Sequence, residues 1–173
     1  MAVAYFLDTC ALIHRYVSGP FSRLVRRIVS SDRWPVYVAE PTVLEMASAL
    51  ARQCRSHRWD VHAFDALDRR FFQDIAFGRL RVRAVTKQEV LRARHLLRYA
   101  GVVKGNKLES ADALIAVTCL ELAYEVKERV VFYTQDWPLY ATIRGVDAFR
   151  AMLELRFLGP GRGGVPPTTK KGS

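Results

Sequence analysis

The sequence predicts an α/β protein of three layers (α/β/α), with a central, mostly parallel sheet held between helices. Three observations predict it. Short apolar runs of strand length alternate along the chain with longer stretches of helical period, as in successive βαβ units. The runs Val3-Ala4-Tyr5-Phe6-Leu7 and Val130-Val131-Phe132-Tyr133-Thr134 are almost continuously apolar, which suits strands buried on both faces. And 173 residues, half of them apolar, suffice for one compact domain with a sizeable core, and are too few to expect a second.

The first strand runs from Val3 to Leu7 and ends at Asp8. Asp8-Thr9 opens a helix on which Leu12, Ile13 and Tyr16 recur at helical spacing, and Ser18-Gly19-Pro20 breaks it before a second helix carrying Leu24, Val25 and Ile28. Pro35-Val36-Tyr37-Val38-Ala39 reads as the second strand. Glu40-Pro41 follows, with the proline suited to a first helical turn, and that helix reaches about Cys54. Residues 60–77 and 87–99 read as amphipathic helices on either side of Arg81-Val82-Arg83-Ala84-Val85, an alternating strand-like segment. Gly101 and the Lys104-Gly105-Asn106 turn lead into a strongly apolar helix over 108–125. The strand Val130 to Thr134 then stops just short of Asp136, and Leu153, Leu155 and Phe157 alternate with Glu154 and Arg156 as a last strand within 153–158. Residues 1–158 are therefore expected to form a single domain. The segment 159–173, rich in Gly, Pro, Thr and Lys, is expected to be a flexible basic tail, because it has too little apolar surface to offset the entropy of ordering it.

A formal net charge of +10 favours polyanionic partners, nucleic acid or an anionic membrane surface. Cys10, Cys54 and Cys119 are odd in number and far apart, with no Cys-x-x-Cys spacing, so neither a disulfide framework nor a zinc site is indicated. A reducing cytoplasm is the simple expectation. Asp8 interrupts the first apolar run before it could act as a signal sequence. Ala113 to Leu120, the longest uncharged stretch of its helix, is far shorter than the roughly 20 residues of a membrane span.

Four acids stand out against this basic background. Asp8 and Asp136 sit at the ends of apolar strands, and Glu45 and Asp112 near the starts of apolar helices. Carboxylates so placed converge on one rim of an α/β sheet, where ligand sites lie, and their hard oxygens suit Mg²⁺ or Mn²⁺. Each also has a plainer role. Asp8 is a good N-cap, Asp136 a good turn residue, and Asp112 complements a helix dipole, as Glu45 does where a solvent gap exposes it. Capping does not explain why all four positions carry an acid. Glu109 shares a helix face with Asp112 and is an auxiliary candidate, as is Thr134, whose hydroxyl could bond an acid or a phosphate. Arg15, Lys104 and Lys107 are candidates for holding phosphates, although any one of them more commonly decorates a solvated surface.

At these residues the chain resembles the PIN-domain ribonucleases, particularly the VapC-type toxins of prokaryotic toxin–antitoxin pairs. Tyr5-Phe6-Leu7-Asp8-Thr9-Cys10-Ala11-Leu12 is similar to that family's first strand and helix, with Cys10 where Ser or Asn is usual. Thr42-Val43-Leu44-Glu45-Met46, Asp112-Ala113-Leu114-Ile115-Ala116 and Thr134-Gln135-Asp136 resemble its later acidic segments, in the same order, over residues 3–136. The resemblance implies a PIN-like fold with Asp8, Glu45, Asp112 and Asp136 as catalytic metal ligands, one or two Mg²⁺ or Mn²⁺ ions, and hydrolysis of single-stranded RNA. It also implies a homodimer and a small antitoxin partner. Two alternatives stay open: a receiver-like or phosphatase-like Mg²⁺-binding α/β domain, and a non-catalytic RNA-binding module of the same shape.

Overall fold

In the computed structural model, which describes residues 3–126 and 128–159, the apolar run Val3–Leu7 is strand β1, at the centre of the sheet. Strands β2 (Val36–Ala39) and β4 (Arg129–Thr134) flank it, and β3 (Arg81–Arg83) and β5 (Leu153–Phe157) lie outside them. The order is β3-β2-β1-β4-β5 and every pairing is parallel, with Phe6 between Tyr37 on one side and Phe132 on the other. Because successive strand residues face opposite ways, the sheet divides the core in two. Ala4, Phe6, Val130 and Phe132 look into one half, and Leu7, Val36 and Val38 into the other.

Each half is closed by its own helices. On the Leu7 face, α1 (Thr9–Leu12), α2 (Ser22–Val29), α3 (Glu40–His57) and α4 (Val61–Ala76) contribute Leu12, Val25, Met46, Leu50 and Phe71. On the Phe6 face, α5 (Lys87–Arg98), α6 (Ser110–Val126), α7 (Trp137–Arg144) and α8 (Asp147–Met152) contribute Leu96, Ile115, Leu139, Ile143 and Phe149. The result is the expected three-layer α/β/α architecture. Among the described residues no helix is long and apolar enough to cross a membrane.

Several elements differ in extent from the sequence reading, each for a local reason. The third strand stops at Arg83 instead of continuing to Val85, because the Glu40 carboxylate takes the Val85 N–H at 3.0 Å. Thr86 then starts α5 with a capping box, in which Thr86 Oγ1 accepts from the Glu89 N–H at 3.2 Å and Glu89 accepts from the Thr86 N–H at 2.6 Å. The first helix is one short turn continued by a 3₁₀ turn at Ile13–Arg15. After α5 the chain widens into a π-helical turn over Tyr99–Lys104, ended by Gly105 at a φ of 65°, where a residue without a Cβ is favoured. Helix α6 begins at Ser110, and helices α7 and α8 are additions. The expected flexible tail lies, beyond Gly159, outside the described residues.

Candidate active site

The chain lays down β2 and β3 on one side of β1 and then crosses to the other side for β4 and β5. In an open parallel sheet, the carboxyl ends of the strands at such a reversal form a crevice. Asp8 follows β1, and Asp136 lies two residues beyond β4. Over that crevice lies a pocket of about 600 Å³, lined by Thr9, Cys10, Glu45, Ser48, Arg52, Lys107, Glu109, Asp112, Asp136 and Pro138. Three of the four candidate ligands thus share one wall system. The fourth, Asp8, is 1% exposed and sits behind Thr9 and Cys10.

Three of the four acids, Asp8, Asp112 and Asp136, stand at the start of a helix. Asp8 is the N-cap of α1: its Oδ1 accepts from the Ala11 N–H at 2.7 Å, and its Oδ2 accepts from the Thr134 hydroxyl. Asp136 caps α7 through Oδ1, which accepts from the Leu139 N–H at 2.6 Å, and its own N–H donates to Thr134 Oγ1 at 2.9 Å. Thr134 is fully buried and ties the two aspartates together. Asp112 stands in the first turn of α6, and Glu45 in α3 accepts from the Thr9 hydroxyl. Capping and ligation therefore do not compete here. A cap uses one carboxylate oxygen and leaves the side chain oriented.

The electrostatics of the group are unfavourable without a counter-charge. Burial pushes the Asp8 carboxyl up from 3.8 to about 7; its hydrogen bonds from Thr134 and Ala11 pull it back, while Asp112 and Asp136 push the same way as burial. Burial, followed by Asp136, Glu45 and Glu109, pushes Asp112 up to about 7 as well. The Cys10 thiol is exposed, yet desolvation at the pocket rim and the surrounding carboxylates push it up, which disfavours the thiolate. Among the described residues no three His, Cys, Asp or Glu side chains are already drawn together to hold a metal ion. Glu45 and Asp8 are each held by a hydroxyl donor, from Thr9 and Thr134. The donor set itself, four carboxylates on one rim, fits Mg²⁺ or Mn²⁺.

The other candidates separate. Glu109 and Lys107 line the pocket. Arg15 does not. It is only 13% exposed and grips Asp74, with Nε to Oδ2 at 2.9 Å and Nη2 to Oδ1 at 3.2 Å, while Nη1 donates to Ser30 at 2.7 Å. Lys104 lies over the Tyr99 ring, 5.7 Å from its centroid, away from the pocket walls. Arg15 is thus a fastener between the turn after α1 and α4. Arg15→Ala should cost about 2 kcal/mol in urea unfolding, less than a broken buried pair otherwise costs, because Arg79 at 3.1 Å and the Tyr16 hydroxyl at 3.1 Å still neutralise Asp74. Ser48 and Arg52 were missed from the sequence. Their spacing of three and seven residues from Glu45 puts them on its helix face and could have revealed them.

A comparison with protein-family descriptions matches the PIN domain over residues 5–141. The chain belongs to the PIN-domain family. PIN domains are in general nucleases, and several solved structures share this fold. VapBC2 from Rickettsia felis, bound to a DNA fragment from its promoter, aligns with a TM-score of 0.55 at 13% identity, covering 88% of this chain and 98% of that one. FitAcB from Neisseria gonorrhoeae aligns with a TM-score of 0.59 at 19% identity, covering 80% and 91%. DNA-bound VapBC from Salmonella typhimurium aligns with a TM-score of 0.53 at 16% identity, covering 90% and 98%. At such identities the likeness concerns the fold of the PIN domain. A comparison with curated protein sequences returned no match.

Proposed function

We propose that this PIN domain is a metal-dependent endoribonuclease that hydrolyses phosphodiester bonds in single-stranded RNA, and that it is the toxin of a toxin–antitoxin pair. The observation that carries the reading is the gathering of Glu45, Asp112 and Asp136 in one pocket, with Asp8 directly behind it and both Asp8 and Asp112 pushed to about 7. Buried carboxylates in that state call for a cation. Asp8, Glu45, Asp112 and Asp136 would hold Mg²⁺ or Mn²⁺, with Glu109 as an outer auxiliary. Bound there, the ion supplies an acidified water and stabilises the charge on the leaving 3′-oxygen, so that a 5′-phosphate remains.

The protein's own contribution is orientation. The Ala11 and Leu139 amides fix Asp8 and Asp136, Thr134 couples them, and Thr9 steadies Glu45. Lys107 lines the pocket wall, and would hold a substrate phosphate there. The activity is assigned to residues 1–158, in the cytoplasm and in a homodimer. The shared fold with VapBC and FitAcB supports a small antitoxin as partner. The free thiols Cys10, Cys54 and Cys119 are consistent with a reducing compartment.

The test is incubation of the purified protein with end-labelled single-stranded RNA, duplex RNA and single-stranded DNA in Mg²⁺ or Mn²⁺. Cleavage of the single-stranded RNA that leaves 5′-phosphate ends and stops on chelation is expected; no cleavage with either ion would refute the proposal. A second expectation concerns Thr134. Its hydroxyl lowers the Asp8 carboxyl, so Thr134→Val should let that carboxyl rise further and move the acid limb of the pH–rate profile to higher pH. A profile that coincides with wild type would remove Thr134 from the site.

A further inference from the structure

Helix α3 carries more than Glu45 along its exposed side. At 3.6 residues per turn, Glu45, Ser48, Arg52 and Arg55 fall within roughly 80° of one another and span about 15 Å of helix. The stripe begins inside the acidic pocket, which Glu45, Ser48 and Arg52 all line, and it leaves the pocket at its basic end. Among the described residues neither Arg52 nor Arg55 is engaged in an ion pair, although Glu45, Glu109, Asp112 and Asp136 line the same pocket as Arg52. Two exposed guanidiniums without partners, in line with a carboxylate cluster, are what a phosphate backbone would meet on leaving it.

Past the stripe, where α3 ends, stands an aromatic pair. Arg58 adopts a left-handed conformation, φ 55°, as the C-cap of α3, although it is not glycine. That conformation turns the chain so that the Trp59 N–H donates to Cys54 O at 2.9 Å, and the Trp59 ring lies flat against His57, with centroids 4.6 Å apart and planes 21° from parallel. Trp59 is 41% exposed and takes no part in either half of the core. By the same periodicity His57 stands about 140° round the helix from Arg52, so a strand passes from the arginines to the aromatic pair by turning round the C-terminal end of α3; exposed aromatic faces and arginines together bind single strands without regard to sequence.

We propose that the RNA strand leaves the acidic pocket along α3, with Arg52 and Arg55 on its phosphates, and turns round the end of the helix, where a base stacks on the Trp59–His57 pair. This deepens the nuclease reading and rests on it. The path predicts two kinds of binding energy that separate in one experiment. Arginine contacts are screened by salt, whereas stacking is nearly indifferent to it.

The experiment measures the affinity of the full chain for a labelled single-stranded RNA of about 12 nucleotides, with Ca²⁺ in place of Mg²⁺ or Mn²⁺ to suppress cleavage, over a range of salt. For the Arg52→Gln/Arg55→Gln double variant, the slope of log affinity against log salt should become shallower by about 1.4, two phosphates at about 0.7 each, with a loss of roughly 20-fold at 0.1 M salt. The Arg52→Lys/Arg55→Lys variant should restore the slope, which a general folding defect would not allow. Trp59→Ala should weaken binding roughly tenfold with the wild-type slope. If a wild type that cleaves RNA is matched in affinity and slope by all of these variants, the strand takes another route and this proposal is wrong while the nuclease reading stands. If the wild type neither binds nor cleaves RNA, the nuclease reading itself fails and takes the path with it.

Discussion

Asp112→Asn is expected to lower kcat/KM for RNA cleavage on the order of 10²- to 10³-fold while leaving the protein folded. The size follows from what a metal-held group supplies, several kcal/mol of charge stabilisation in the transition state. The survival of the fold follows from position. Asp112 lies in the first turn of α6, partly buried beside Asp136, Glu45 and Glu109, and replacing it with a neutral side chain of the same shape removes a repulsion that raises its carboxyl to about 7. Glu109→Gln is the matched control. Glu109 is exposed on the same wall, and its replacement should cost no more than severalfold. Initial rates on single-stranded RNA in Mn²⁺, together with circular dichroism melts, check both. An Asp112→Asn protein as active as wild type would remove the central ligand from the account.

The second large effect concerns stability and pH in the absence of divalent ions. The Asp8 carboxyl titrates near 3.8 when the chain is unfolded and at about 7 in the fold, so between those values the native state binds more protons than the unfolded state. Its contribution is fully present below about 3.8 and is lost as pH rises through 7. An asparagine amide at the same position has no such proton to lose. Relative to wild type, the Asp8→Asn variant should therefore gain stability as pH rises from 5 to 8, by about 2–4 kcal/mol at about 1.4 kcal/mol per pH unit. Mn²⁺ should close the gap at pH 8, because it stabilises the ionised wild-type site and has little to bind in the variant. Urea unfolding of both proteins at several pH values, with and without Mn²⁺, reads this directly. A stability difference that does not change with pH would show that Asp8 is ionised in the fold as easily as in water.

The strand skeleton was legible because β1 and β4 are buried on both faces and so read as unbroken apolar runs, and the acids were legible because each interrupts such a run or opens an apolar helix. What sequence alone could not decide was whether Asp8 is a cap and Asp136 a turn residue, or whether both belong to a site. The structure makes them caps that also face or back one pocket, since a cap occupies a single carboxylate oxygen. Arg15 was misleading because its partner, Asp74, is brought to it only when α4 packs on the first helices. The end of β3 was invisible for the same reason. It depends on a carboxylate of α3 reaching the Val85 amide. Arg52 was overlooked because it looks like any solvated helix charge until α3 is seen to form one wall of the acidic pocket. Helices α7 and α8 follow closely on Asp136, whose carboxylate caps α7 where the sequence suggests a turn.

The most direct test is the position of Mn²⁺ by anomalous diffraction from crystals of the wild-type protein soaked in the ion. The expected result is a peak in the pocket over the carboxyl ends of β1 and β4, in contact with carboxylate oxygens from at least two of Asp8, Glu45, Asp112 and Asp136. Peaks confined to other parts of the surface, with these four side chains left apart at saturating Mn²⁺, would contradict it.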